Sequence, residues 1–369
     1  MKITLLTGYL GSGKTTLINH ILTNQNKYKI AVIVNDIGEV NIDASLIEKG
    51  GIVTEKDESL VALSNGCICC NLKMDLVKQI TDLIDQNKFD YIIIEASGIC
   101  EPIPIAQTIT MIPEIIKNKD YDIKLDAIVT VTDALRLKDE FNCGSSLTKD
   151  NIDDEDIEKL IIEQLEFCNI IILNKAHDIT EEELNSVKAV IKSIQPKAKI
   201  IEADYAKVDL NEILDTNLFD FASSSMTAGW IEALEHPEEI EESGEELEYG
   251  ISTFVYYRRE PLNRKLFYEF LEKKWDNSII RCKGVVYFTD DYDNAYMIES
   301  AGKSKSLINT GPWVSALPEN EQQMILITNP DIKEYWDEKY QDRMNKVVFI
   351  GKNMNKEDII KKLDSAIER

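Results

Sequence analysis

Residues 2–22 read KITLLTGYLGSGKTTLINHIL, and this stretch restricts the possible folds more than any other. An apolar run ends at Thr7, glycines stand at Gly8, Gly11 and Gly13, and Lys14 and Thr15 follow. Apolar residues then recur at helical spacing. The pattern Gly8-x-x-x-x-Gly13-Lys14-Thr15 is that of a strand–loop–helix unit that wraps phosphate groups. Glycines let the backbone curl until successive N–H groups face phosphate oxygens, and the helix behind adds its positive N-terminal end. Lys14 is expected to reach the β- and γ-phosphates and the Thr15 hydroxyl to hold magnesium. The backbone of Gly11, Ser12 and Thr16 belongs to the same cradle.

The runs KITLLTG, KIAVIVND, FDYIIIEASG, LDAIVTVTDA and CNIIILNK are almost uniformly apolar, as strands buried on both faces are. Amphipathic helical stretches such as KMDLVKQITDLIDQ lie between them. This alternation predicts an α/β fold: a P-loop NTPase domain with a mostly parallel sheet flanked by helices. Ligands of such sheets sit at the carboxyl ends of the strands. The stretch from residue 226 to 249 is strongly acidic and reads as a solvated linker. From residue 250 the mix of strands (ISTFVYYRR, RCKGVVYFTD, NAYMIESAG, KVVFIGKN) and two helices predicts a smaller α+β C-terminal domain with a largely antiparallel sheet. The expected domains are 1–225, a linker at 226–249, and 250–369.

Phosphate chemistry needs a carboxylate near magnesium as well. Glu95 ends the apolar run YIIIE, and Gly98 follows where a backbone amide can meet a γ-phosphate. Asn35–Asp43, a polar loop after the second apolar run, suits a switch segment with Asp36 and Glu39 as candidate ligands. Lys14, Thr15, Glu95 and Asp36 are thus the expected catalytic set. In LNKAHD, Asn174 and Lys175 begin the N-K-x-D base-reading motif, whose Asp accepts two hydrogen bonds from guanine. The Asp position holds His177, and Asp178 comes one residue later. Neutral imidazole has one acceptor and cannot reproduce that pairing. Either Asp178 moves in or guanine selectivity falls.

SNGCICC places Cys67, Cys69 and Cys70 within four positions of a chain with seven cysteines. Spacing at i, i+2 and i+3 lets three thiolates converge on one ion only in a turn, which Gly66 permits. Metal binding, a redox pair and buried packing all fit the residues alone. As a metal site the cluster is one ligand short of tetrahedral zinc, which suits transfer better than storage. Soft sulfur favours zinc or cuprous copper, with cobalt and nickel also compatible. Cys100, Cys143, Cys168 and Cys282 are isolated and read as structural, as does His20.

With GYLGSGKTT, NDIGEV, SNGCICC, IIIEASG and LNK in this order, the chain resembles the CobW-type P-loop GTPases, grouped with the nickel chaperones of hydrogenase and urease. The resemblance spans nearly the whole chain. It implies GTP hydrolysis, with magnesium, coupled to delivery of zinc or a related divalent ion such as cobalt to a client metalloprotein. Some members are associated with cobalt handling in cobalamin biosynthesis. Carried over, Cys67, Cys69 and Cys70 match the family's metal-binding cysteines and Glu39 the acidic residue of the switch loop. The client would dock on the C-terminal domain or the switch surface, and an oligomer is compatible with the sequence. Two departures stand out: His177, and the lack of a histidine-rich tract in a sequence with three histidines. The rival reading is an ATP-dependent kinase or ATPase with structural cysteines.

Composition narrows the remaining classes. A formal charge of -25 removes the basic footprint that nucleic acid requires. No run approaches a membrane span, and the N-terminal apolar run is too short for a signal segment, so a cytoplasmic protein is expected.

Overall fold

The apolar runs of the first 220 residues lie side by side in one sheet, because strands buried on both faces can satisfy their backbone groups only by pairing with one another. The computed structural model describes residues 1–24, 28–34, 60–62, 73–98, 100–116, 121–141, 154–220, 249–301 and 304–367. These form two compact units, one from residues 1–141 and 160–220, the other from 249–367 with the stretch 154–159.

In the first unit, β1 (Lys2–Thr7), β2 (Ile30–Val34), β3 (Leu60–Ala62), β4 (Tyr91–Glu95), β5 (Lys124–Asp133), β6 (Ile170–Asn174) and β7 (Lys199–Ala203) run in the order β3-β2-β4-β1-β5-β6-β7. Every pairing is parallel. Side chains alternate between two buried faces. On one, Leu6, Val32, Val34, Ile93, Val129, Val131 and Ile172 pack with Leu17, Ile18 and Ile21 of helix α1 (Lys14–Thr23). Ile3, Leu5, Ala31, Ile33, Ile92 and Ile94 fill the other. The helix Lys73–Asp85 buries Leu76, Val77, Ile80 and Leu83, and the helix Pro102–Thr110 buries Ile105, Ala106 and Ile109.

Two of these strands, β3 and β7, carry no uniform apolar run. β3 has only three residues, and β7 is an edge strand whose KIIEA pattern is half-exposed. No described helix is long and apolar enough to cross a membrane.

At the amino ends of β1 and β5, Asp126 anchors the segment that closes this unit. Its side chain is fully buried and accepts from Tyr91 Oη (2.7 Å), Thr216 N (2.9 Å), Thr216 Oγ1 (3.2 Å) and Asn217 N (2.7 Å). A carboxylate out of water needs this many donors. Burial in the same cluster pushes the Tyr91 hydroxyl well above its ordinary pKa.

The second unit holds an antiparallel sheet, order β11-β10-β9-β12-β8, from β8 (Ile251–Arg258), β9 (Ile279–Phe288), β10 (Asp291–Ala301), β11 (Ser304–Pro312) and β12 (Asn345–Lys352). Phe254, Tyr256, Val286, Phe288 and Phe349 from the sheet meet Phe267 and Phe270 of the helix Arg264–Lys273 and Ile359 and Leu363 of the helix Lys356–Asp364. Asn263 and Asn355 cap these helices by accepting from Leu266 N and Asp358 N, both at 3.1 Å. Arg258 grips Asp364 with two parallel bonds of 2.9 and 2.8 Å, tying β8 to the last helix.

Asp126→Ala should cost about 3 kcal/mol of stability, because it strands several donors at once. Asp126→Asn, which keeps one acceptor oxygen, should cost less. Thermal unfolding of the two variants checks the ranking.

Candidate nucleotide-binding site

β1 ends at Thr7, and the chain then turns through Gly8 (φ 137°), Gly11 (φ 80°) and Gly13 (φ 114°) before α1 begins at Lys14. A Cβ at Gly8 would lie 2.1 Å from the Val131 carbonyl oxygen, and one at Gly13 would lie 2.4 Å from the Asn174 amide nitrogen. Glycine is therefore required twice at each position, by the backbone conformation and by space. Gly11 faces open space, so its left-handed φ is the reason for glycine there. No side chain caps the start of α1, whose first turn carries no acidic residue. The helix thus presents its N–H groups and its positive end to the loop.

Lys14 is almost wholly buried, and its ammonium donates to the carbonyl oxygens of Gly8 (2.7 Å) and Tyr9 (3.4 Å). A buried cation needs such partners, and here they aim it back into the loop that ends at its own backbone. Ser12 is buried, Thr15 half-buried and Thr16 exposed. The Tyr9 ring, inside the loop, lies under the Arg136 guanidinium at 4.0 Å.

Parallel register brings the carboxylate alongside. Glu95 pairs in register with Leu6 and has no exposed surface, and Ala96 N donates to Leu6 O at 2.8 Å. Three residues on, a Cβ at Gly98 would meet Leu10 N at 2.9 Å, so the segment after β4 rests on the phosphate loop. Gln164, buried, steadies that segment by donating to Gly98 O (3.3 Å) and Cys100 O (3.4 Å).

On the other side, Asn174 ends β6 with its amide buried. Its Nδ2 donates to Ser12 O (2.8 Å) and its Oδ1 accepts from Ala206 N (2.9 Å). One side chain thereby ties the phosphate loop to the turn after β7. Lys175 adopts a left-handed conformation (φ 58°) and reaches Asp133 Oδ2 at the end of β5. A 3₁₀ turn, Ala176–Asp178, follows. His177 pairs through Nδ1 with Asp204 Oδ2, and its own N–H donates to Asp204 Oδ1 at 3.2 Å. Asp178 is exposed.

The structure thus brings together Gly8, Gly11, Ser12, Gly13, Lys14, Glu95, Gly98, Asn174 and Lys175 at one sheet edge. Asp36, Glu39, Cys67, Cys69 and Cys70 lie outside the described residues. Among the described residues, no group of three or more histidines, cysteines and acids could hold a metal ion. Cys100, Cys168 and Cys282 are buried. Burial pushes the Cys168 thiol up to about 12 and raises that of Cys282, so neither offers a thiolate near neutrality. His20 contacts Val208 O at 2.9 Å within the first unit. Asp133, Asp204 and the Ala206 amide were not foreseen from the sequence. The turn residues DYAK were the only signal for the last two.

A parallel sheet carrying this glycine loop, a buried lysine and a buried carboxylate on the next strand defines a P-loop nucleotide-binding protein. The chain belongs to the CobW/HypB/UreG family. It matches that family's nucleotide-binding domain over residues 2–202 and the cobalamin synthesis protein cobW C-terminal domain over residues 251–367. It is 38% identical over 376 residues to "Zinc-regulated GTPase metalloprotein activator 1" of Dictyostelium discoideum, covering 98% of this chain and 78% of that protein. The protein of the same name in Schizosaccharomyces pombe is 38% identical over 230 residues, 61% of this chain and 51% of its own length. "Zinc chaperone YjiA" of Escherichia coli is 31% identical over 224 residues, 59% of this chain and 62% of its own.

Gly13→Ala should weaken nucleotide binding by about tenfold or more, since the new methyl meets the Asn174 amide and the backbone is held left-handed. Titration with a fluorescent nucleotide measures the loss, and an unchanged circular dichroism spectrum would show that the fold persists.

Proposed function

We propose that the protein is a GTP-hydrolysing metallochaperone that binds zinc, or a related divalent ion, and passes it to a client metalloprotein as its nucleotide state changes. Three parts divide the work: residues 1–225 handle nucleotide, 226–249 form an acidic linker, and 250–369 complete the chain. Guanine rather than adenine is supported by the two relatives that are named GTPases.

One observation carries the coupling. β2 ends at Val34 and β3 at Ala62, which pair in register with each other, and Val34 pairs with Glu95. The segment holding Asp36 and Glu39, and the one holding Cys67, Cys69 and Cys70, therefore depart from the same sheet edge as the phosphate loop. The first starts one strand over from the carboxylate expected to face magnesium, and the second starts two strands over.

The donors at that edge fit a hard cation, since the Thr15 hydroxyl and the Glu95 carboxylate are oxygen ligands. When bound there, magnesium offsets charge on the phosphate oxygens. Lys14, already buried and aimed at the loop, adds a fixed positive charge, and Gly8 to Thr16 hold the phosphates through backbone N–H groups. Gly98 abuts Leu10, so the backbone after β4 can follow a change at the phosphate loop. Asp36 is assigned to the attacking water or its ion. For the transferred metal, Cys67, Cys69 and Cys70 supply soft thiolates and Glu39 a displaceable fourth ligand, which leaves room for a client's donor. The client engages the C-terminal domain or the switch surface. A reducing, cytoplasmic setting keeps these thiols available.

Two measurements test this. Zinc affinity, read by competition with a chromogenic chelator, should differ by about tenfold between a non-hydrolysable GTP analogue and GDP. The triple variant Cys67→Ser, Cys69→Ser, Cys70→Ser should lose zinc yet keep nucleotide; equal zinc affinities throughout would sink the proposal. Lys14→Ala should lower GTP turnover by about a hundredfold, measured as phosphate release.

A further inference from the structure

The N-K-x-D position that should carry a carboxylate carries His177, and the structure shows what holds it. Asp204 takes the Nδ1 edge of the ring on Oδ2 and the His177 peptide N–H on Oδ1 at 3.2 Å. Asp204 itself sits on a turn that cannot drift. Tyr205 and Ala206 have φ values of 52° and 51°, a conformation that L-residues rarely adopt. Ala206 N is pinned to buried Asn174, and Lys207 N closes the turn onto Asp204 O at 3.1 Å. The His177 side chain remains 85% exposed, so its other nitrogen is open to a ligand.

Asp178 is not placed to substitute. It follows His177 in a 3₁₀ turn, where successive side chains are separated by roughly 120°. Its N–H is committed to Lys175 O at 3.1 Å.

We propose that His177 reads guanine through Nε2 as a single hydrogen-bond acceptor, with Asp204 as the positioning residue that keeps the proton on Nδ1. This rests on the GTPase reading above and deepens it. The proton on one ring nitrogen is set by the bond that nitrogen makes, so an Nδ1–H held by a carboxylate leaves Nε2 with its lone pair. Guanine and adenine differ in polarity at N1: guanine presents N1–H, adenine a lone pair. A lone-pair Nε2 accepts from the first and repels the second. It has no second acceptor for the guanine 2-amino group, which a carboxylate would have engaged. The base specificity that follows is unusual: hypoxanthine, which keeps N1–H and lacks the 2-amino group, should be accepted as well as guanine.

The test is equilibrium binding of GTP, inosine triphosphate and ATP to the full chain. Wild type should bind GTP and inosine triphosphate within about threefold of each other, both about tenfold or more tighter than ATP. His177→Asp, restoring two acceptors, should favour GTP over inosine triphosphate by about tenfold. His177→Ala should bring GTP and ATP within about threefold. Asp204→Ala should reduce the GTP-to-ATP ratio, and Asp204→Asn, which still accepts from Nδ1–H, should restore part of it. A purely structural Asp204 would alter all three affinities together and leave the ratios alone. The inference is overturned if wild type already prefers GTP to inosine triphosphate by about tenfold, the mark of a carboxylate reading both donors. It is equally overturned if His177→Ala keeps the GTP-to-ATP ratio. Wild type binding ATP as tightly as GTP would instead remove the GTPase reading beneath it.

Discussion

Parallel pairing of the strands around β1 is the constraint on which the rest depends. In a parallel sheet every strand ends at the same edge, so residues far apart in sequence arrive together once the strands pair. The phosphate loop leaves β1 after Thr7, Glu95 ends β4, Asp133 ends β5 and Asn174 ends β6. Register makes them neighbours: Leu6 lies beside Glu95, Asp133 beside Asn174, and Asn174 beside Ala203. An antiparallel β4 would carry Glu95 to the opposite edge and leave the phosphate loop without its carboxylate.

At that edge the polar groups are buried, and burial makes each contact directive. Asn174 has little exposed surface, so its amide must find partners inside the protein. Those partners are the Ser12 carbonyl and the Ala206 N–H, which fixes the phosphate loop relative to the turn carrying Asp204. Lys14 is constrained in the same way by the Gly8 and Tyr9 carbonyls. Asp126 shows the same physics at the other edge, where its bonded carboxylate secures the closing segment. One edge of the sheet is organised for ligands, and the other for stability.

Much of this was legible beforehand. The five uniformly apolar runs became β1, β2, β4, β5 and β6, because burial on both faces removes alternation and leaves a plain signal. The glycine loop was legible because its backbone conformation admits few other residues. β7 and β11 were not. β7 is an edge strand with lysine and glutamate at half-exposed positions, and β11 reads SKSLINTGP, which resembles a loop until β10 pairs with it. The helix Glu319–Thr328 leaves no such signal either, since it buries no residue and so carries no apolar stripe.

The base-reading side shows the division most clearly. The sequence by itself determined that a phosphate loop follows β1, that Glu95 closes a buried strand, and that a histidine occupies the place of the expected aspartate. Each is a local matter of residue type, spacing and backbone freedom. Only the tertiary structure decided that Asp133 meets Lys175 and that Asp204 meets His177. Those pairs join residues separated by 42 and 27 positions. No periodicity links them, because they are neighbours only through the order in which β5, β6 and β7 assemble.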